Sequence, residues 1–177
     1  MNLQYSMNPG ESRSVDQPLD DPTLRGQGIK RCLDVAGALF GLVLAAPVLA
    51  ICAVMIKLSD GGPVLYTQWR AGRGGWLFRI YKLRTMYLDA ERRTGAVFAR
   101  RSDDRIIPLC RWMRRSHADE LPQLINVLRG EMSLVGPRPE RPEIMDQLAE
   151  DVPGLERRLA VKPGLTGLAQ LRNGYTN

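Results

Sequence analysis

Asp119 and Glu120 are adjacent carboxylates within RRSHADELPQLINVLRGEMSLVGPRPERP, residues 114–142. Arg114 and Arg115 stand just upstream, and Pro137, Arg138 and Pro139 form a rigid Pro-Arg-Pro downstream. A carboxylate nucleophile surrounded by guanidinium groups suits a phosphate-bearing substrate, because arginine's planar fork neutralises and orients phosphate oxygens. Asp119 also has a structural reading. Pro122 and the apolar face of Leu121, Leu124, Ile125 and Leu128 predict a helix over 121–128, ended by Gly130, and Asp119 could cap it. His117, the single histidine, cannot build a histidine metal site and reads as an exposed loop residue rather than a base.

Further basic residues lie upstream. Lys82 and Arg84 flank Leu83, a spacing that puts both cations on one side of a strand and suits a diphosphate. They close the second of two alternating runs, 64–70 and 76–84, separated by AGRGG, a pattern that predicts a short β-hairpin. Its Arg70, Arg73 and Arg79 are mixed with Tyr66, Trp69, Trp76, Phe78 and Tyr81, a surface suited to lipid headgroups or nucleic acid.

Something must hold these groups beside their substrate. The chain of 177 residues suits one domain plus an anchor, and its net charge of +6 predicts anionic partners. Cys32, Cys52 and Cys110 have neither paired nor metal-ligand spacing, which fits a reduced compartment. Residues 1–28 lack apolar periodicity and read as a disordered tail. Residues 29–58 are the anchor: no charge falls between Asp34 and Lys57, enough for roughly 30 Å of helix. Lys30 and Arg31 flank one end at the membrane interface, with Asp34 as a structural partner, and Lys57, Arg70 and Arg73 follow the other. Positive charge at both ends fits a single crossing poorly. Pro47 removes a backbone donor midway. A kinked, re-entrant helix with both ends on one face satisfies both observations; a spanning signal-anchor is the alternative.

Residues 59–177 then form a catalytic domain at the interface. Within it, 86–93 reads as a short helix, 103–115 as an amphipathic helix lying in the interface, and 144–159 as helices broken at Pro153-Gly154. Residues 133–142 read as a stiff loop and 162–167 as a turn. The fold class expected is α+β, mainly α.

Taken in order, KRCLD at the start of the apolar run, Ala46-Pro47 within it, GGPVLYTQWRAGRGGWLFRIYKLRTM, DELPQLINVLRGEMSLVGPRPERP and VKPGLTGLAQ resemble the bacterial sugar transferases. These are monotopic phosphoglycosyl transferases, and the resemblance, over residues 30–170, is to their minimal catalytic type. It implies transfer of a sugar-1-phosphate from a UDP-sugar to undecaprenyl phosphate, with release of UMP. This step initiates exopolysaccharide, capsule or O-antigen assembly on the cytoplasmic face of the bacterial inner membrane. By the same resemblance Asp119 is the nucleophile that forms a phosphosugar-aspartyl intermediate, and Glu120 completes the dyad. Arg114, Lys82 and Arg84 bind phosphate, while Pro137, Arg138 and Pro139 bind the nucleotide. Mg²⁺ is the expected cofactor, with Asp119 as its ligand, and Pro47 is the break of the re-entrant helix. Partners would include membrane phospholipids but no nucleic acid, and a homodimer is compatible with this layout. A membrane-anchored basic binder of anionic lipid or nucleic acid is the competing class, but carboxylates between arginines would weaken such a binder. An inactive family member is a third reading, separated from the first by UMP release.

Overall fold

The computed structural model describes residue 5, residues 27–88, residue 90 and residues 103–173. The expected tail falls outside these residues, except for Tyr5, Gln27 and Gly28. The last two already belong to helix α1, Gln27–Asp60, which overruns the predicted segment at both ends. Helical structure continues through Pro47. Among the described residues α1 is the one helix long and apolar enough to cross a membrane. Its buried residues are Asp34, Ala38, Ala45, Cys52 and Ile56, a stripe at steps of four and seven along nearly its whole length. Leu39, Phe40, Val43, Leu44, Ile51, Val54 and Leu58 are exposed on the other faces.

The hairpin forms as the alternation predicts. Strand β1 (Leu65–Ala71) pairs antiparallel with β2 (Leu77–Leu83), in register from Leu65 opposite Leu83 to Ala71 opposite Leu77. Gly74 and Gly75 turn the chain at φ 67° and 80°, where a side chain would be strained. Phe78 and Ile80 point from β2 into a core shared with Ala38 of α1. Arg79, between them, stacks on Trp69 at 4.8 Å.

Two predicted helices are corrected. Met86 does not begin a helix but bridges to Ile106, and Ile107 donates to the Thr85 carbonyl at 2.9 Å; residues 89 and 91–93 of that expected helix lie outside the described part. Nor is 103–115 one helix. Helical structure begins with a 3-10 turn at Pro108–Cys110 and continues as α2, Arg111–Arg115. The proline ring holds Ile107 extended, at ψ 121°, so helix cannot propagate backwards through it. Cys110 and Met113 pack with Cys52 and Ile56 of α1, while Leu109 and Trp112 face outward. All three cysteines are free.

Helix α3 is shorter than predicted, Gln123–Arg129, and ends at Gly130, whose φ of 82° is left-handed. It packs Leu124 and Val127 against Phe78, Ile80 and Ala38. The expected loop and turn that follow contain strands. β3 (Ser133–Val135) and β4 (Gly164–Thr166) pair in parallel, Ser133 opposite Gly164 and Val135 opposite Thr166. Between them lie α4 (Pro142–Asp151) and a 3-10 helix, Leu155–Ala160, separated by Pro153 and a left-handed Gly154, as the sequence suggests. Helix α5, Leu168–Asn173, closes the described chain. The described residues are thus mainly helical, with two small sheets.

Candidate active site

Asp119 and Glu120 occupy a one-turn 3-10 helix, Ala118–Glu120, immediately before α3. His117 leads into it at φ 58°, the only left-handed non-glycine among the described residues. It is partly buried rather than fully exposed, and its carbonyl accepts from the Glu120 amide at 3.0 Å. Asp119 is not a helix cap: Pro122 stands at the α3 cap, and no side chain caps that helix. A 3-10 turn has three residues per turn, so consecutive side chains leave it about 120° apart. The two carboxylates therefore meet different neighbours.

Glu120 turns inward. Its Oε1 accepts from Lys82 Nζ at 2.8 Å and from Arg138 Nη2 at 3.4 Å, and the residue is 7% exposed. Burial alone would raise its pKa, but Lys82 and Arg138 together hold it below the ordinary glutamate value. Asp119 goes the other way. Burial raises its pKa, the adjacent Glu120 adds to the rise, and Lys82 and Arg114 offset only part of it. Lys82 is itself pushed down by burial against the pull of Glu120. The geometry thus gives one carboxylate locked by two cations and one that is desolvated beside cations it does not fully use.

Three elements bring these groups together. β2 delivers Lys82, and Asn126 of α3 fixes β2 to the helix. Fully buried, Asn126 accepts from the Tyr81 amide at 3.1 Å and donates to the Arg79 carbonyl at 2.8 Å. The Pro137–Pro139 loop delivers Arg138, and its backbone is bonded on every side. The Pro137 carbonyl takes the Gly164 amide at 2.8 Å, Arg158 binds the Arg138 carbonyl, and Arg70 reaches the Pro139 carbonyl at 3.4 Å. Next along, the Glu140 carbonyl takes the Ala71 amide at 3.0 Å. This clamping needs Gly136 and Gly164, since a Cβ on Gly164 would stand 2.0 Å from the Gly136 nitrogen. Beside Arg138 opens a cleft lined by Gly72, Pro137, Glu140, Arg158 and Pro163.

Lys82 and Arg138 thus meet on Glu120, and Arg114 lies near enough to Asp119 for its charge to lower that carboxylate's pKa. Arg84 is the exception. It is buried and donates to Pro63 and to Asp60 at the end of α1, so it is a tie to the anchor and does not face the carboxylates. The alternation expected of a strand stops one residue earlier, because β2 ends at Leu83. Lys30 and Asp34 pair at 3.1 Å, and Arg31 donates to the Val127 and Leu128 carbonyls at the end of α3. They bind the anchor to the domain. Asn126 and Arg158 escaped sequence reasoning, and Arg70, read there as part of the basic-aromatic surface, instead holds the Pro139 carbonyl. Asn126 left no signal, because it stands outside the apolar face of Leu121, Leu124, Ile125 and Leu128.

The description "Bacterial sugar transferase" matches residues 25–177. The chain belongs to this family. It is 44% identical over 163 residues, 90% of each chain, to a Bacillus subtilis (strain 168) protein provisionally named undecaprenyl-phosphate N-acetylgalactosaminyl 1-phosphate transferase. It is 48% identical to the UDP-glucose:undecaprenyl-phosphate glucose-1-phosphate transferase of Caulobacter vibrioides, covering 81% of this chain and 53% of that one. It is 43% identical to the UDP-N-acetylgalactosamine-undecaprenyl-phosphate N-acetylgalactosaminephosphotransferase of Aeromonas hydrophila, covering 83% of this chain and 34% of that one. The chain therefore spans nearly all of the first relative, about half of the second and about a third of the third.

Proposed function

We propose that this sugar transferase moves a sugar-1-phosphate from a UDP-sugar to undecaprenyl phosphate through a covalent aspartyl intermediate. The observation that carries this reading is the division between the carboxylates: Glu120 is bound by Lys82 and Arg138, while Asp119 is half-buried, forms no ion pair among the described residues and has its pKa raised by desolvation. A desolvated carboxylate is the more basic nucleophile, and cations beside it suit an anionic diphosphate. An Asp119 oxygen attacks the β-phosphorus, the P–O bond to the α-phosphate breaks, and UMP leaves with the bridging oxygen. A phosphate oxygen of undecaprenyl phosphate then attacks the same phosphorus. The acyl-phosphate P–O bond breaks, and the Asp119 carboxylate is regenerated. Arg114 and Lys82 neutralise the diphosphate during both displacements, and the cleft beside Arg138 holds the nucleotide.

The residues fit a magnesium ion. Glu120 is engaged by two cations, leaving Asp119 as the carboxylate to hold the ion. Among the described residues no group of three or more metal-binding side chains exists, as suits an ion that draws its remaining ligands from water and substrate phosphates. When bound, the ion supplies charge neutralisation of the diphosphate.

α1 enters and leaves the membrane on the cytoplasmic face, bending at Pro47, where the missing N–H leaves the Val43 carbonyl without its helical donor. What supports this is the contact pattern. A single crossing separates its ends by the hydrocarbon layer, whereas α1 is tied to the same domain by Lys30 and Arg31 near one end and by Asp60 at the other. Leu109 and Trp112 lie against the bilayer, and phospholipid rather than nucleic acid is the partner of the basic-aromatic surface. The setting is the inner membrane at the start of exopolysaccharide-type assembly.

The test incubates the full chain in nanodiscs with Mg²⁺, undecaprenyl phosphate and a panel of UDP-sugars, including the N-acetylgalactosamine and glucose that the relatives' names contain. UMP release by wild type and none by Asp119→Asn is expected. With acceptor omitted, label from the sugar should stay on denatured wild type alone. UDP as the released nucleotide overturns the reading.

A further inference from the structure

A second group of cations lies beyond the C-terminal end of α3, away from the carboxylates at its N-terminal end. A Cβ on Gly130 would stand 3.6 Å from both Arg31 Nη2 and Lys162 Nζ, so the two cationic heads converge on one residue. Lys30 reaches the same corner through Ser133, and the turn at Arg73–Gly75 packs on the 3-10 helix Leu155–Ala160 that leads into Lys162. The nearby carboxylates are engaged: Glu131, next to Gly130, accepts from Asn126 Nδ2 at 2.6 Å. Asp34 is already opposed by Lys30, and Arg31 bonds neutral carbonyls. Among the described residues no carboxylate stands within ion-pair distance of Lys162. Burial, then Arg31 and Arg73, depress the Lys162 pKa, with Asp34 opposing them.

Apolar surface surrounds this charge. Ile29 and Leu33 are exposed next to Lys30 and Arg31, at the N-terminal end of the apolar run of α1. We propose that Lys30, Arg31, Arg73 and Lys162 form a phosphate site, separate from the catalytic one, that takes the headgroup of an anionic membrane phospholipid. Two non-bridging phosphodiester oxygens can be shared between the convergent guanidinium and ammonium, while the acyl chains lie along Ile29 and Leu33. The site rests on the interfacial placement of α1 proposed above, and its occupant fixes how that helix end sits against α3 and β4.

The experiment titrates the detergent-solubilised full chain with dioctanoyl phosphatidylglycerol and reads thermal stabilisation. Dioctanoyl phosphatidylcholine, inorganic phosphate and a short polyprenyl phosphate are run alongside, and UMP release is measured on the same preparations. Phosphatidylglycerol should give a saturable shift. At about 1 kcal/mol per surface cation, Arg73→Gln should weaken it about fivefold and Arg73→Gln/Lys162→Gln about 30-fold. Lys57→Gln, at the other end of α1, should leave the affinity unchanged, and all three variants should keep UMP release. Arg73→Gln alone keeps the test decisive if the double variant is unstable without lipid. Equal affinity in wild type and variants overturns the site, as does an equal response to phosphatidylcholine. Saturation by inorganic phosphate, or displacement of phosphatidylglycerol by the polyprenyl phosphate, overturns the phospholipid as occupant. Failed UMP release with intact lipid selectivity would sink the catalytic reading alone.

Discussion

Replacing Lys82 by methionine keeps the volume of the side chain and removes its charge, leaving Glu120 buried with Arg138 alone. At 2.8 Å the pair attracts by about 6 kcal/mol at an effective dielectric of about 20. Desolvation of both groups offsets much of that, and removing one member of a buried pair costs about 3–5 kcal/mol. Arg138, at 3.4 Å and 33% exposed, retains part of the interaction, which puts the expected loss near the lower end, about 3 kcal/mol. For a chain of this size that lowers the melting temperature by about 6–12 °C. The informative comparison is the double-mutant cycle. Lys82→Met/Glu120→Gln removes both charges, so it should be more stable than the sum of the single losses implies, with about 2 kcal/mol of coupling. Thermal unfolding of the detergent-solubilised chain, followed by tryptophan fluorescence, reads all four proteins. Additivity within about 0.5 kcal/mol would refute the locked-carboxylate argument.

Other perturbations separate the remaining roles. Asp119→Asn should raise the melting temperature at neutral pH while abolishing UMP release: a raised carboxylate pKa destabilises the fold above that pKa, and the amide relieves it. An unchanged or lower melting temperature would contradict burial of its charge. In wild type the acid limb of kcat/KM should lie above the ordinary aspartate range of about 3.9, since Asp119 acts ionised; a pH–rate profile falling at or below that range counts against it. Asn126→Leu should destabilise by about 2–4 kcal/mol, because the Tyr81 amide and Arg79 carbonyl lose their partner in a buried site. Denaturant unfolding measures it. Arg138→Ala should raise KM for the UDP-sugar, whereas Arg84→Ala should lower stability and leave KM unchanged; a KM effect from Arg84 would return it to the substrate.

Local patterns carried the hairpin, the apolar helix, the end of α3 at Gly130 and the break at Pro153-Gly154, because each depends on neighbouring residues. The β3–β4 pair was hidden for the opposite reason. Its strands, Ser133–Val135 and Gly164–Thr166, are too short for a period and are joined across α4, and their pairing rests on glycines 136 and 164 permitting backbone contact. Residues 103–115 misled because an apolar stripe was read through Pro108. At the site, the types Asp119, Glu120, Lys82, Arg114 and Arg138 were legible, but the partners were not. Lys82 and Arg84 look equivalent at spacing two, yet Lys82 meets Glu120 and Arg84 meets Asp60.

That separation also explains why adjacent carboxylates need not duplicate each other. Consecutive side chains leave a helical turn about 100–120° apart, so the two carboxylates diverge at once. Glu120 then spends its charge on holding Lys82 of β2 and Arg138 of the Pro-Arg-Pro loop in one place. Those same cations face the substrate, so Glu120 positions the phosphate ligands that Asp119 attacks beside. On this argument Glu120→Gln should not merely remove an acid. It should loosen Arg138 and leave Lys82 seeking Asp119, which lowers the nucleophile's basicity. Both UMP release and the acid-limb pKa would fall together, whereas a residue acting only in proton transfer would lower the rate and leave the limb in place. The pH–rate profile of Glu120→Gln against wild type distinguishes the two.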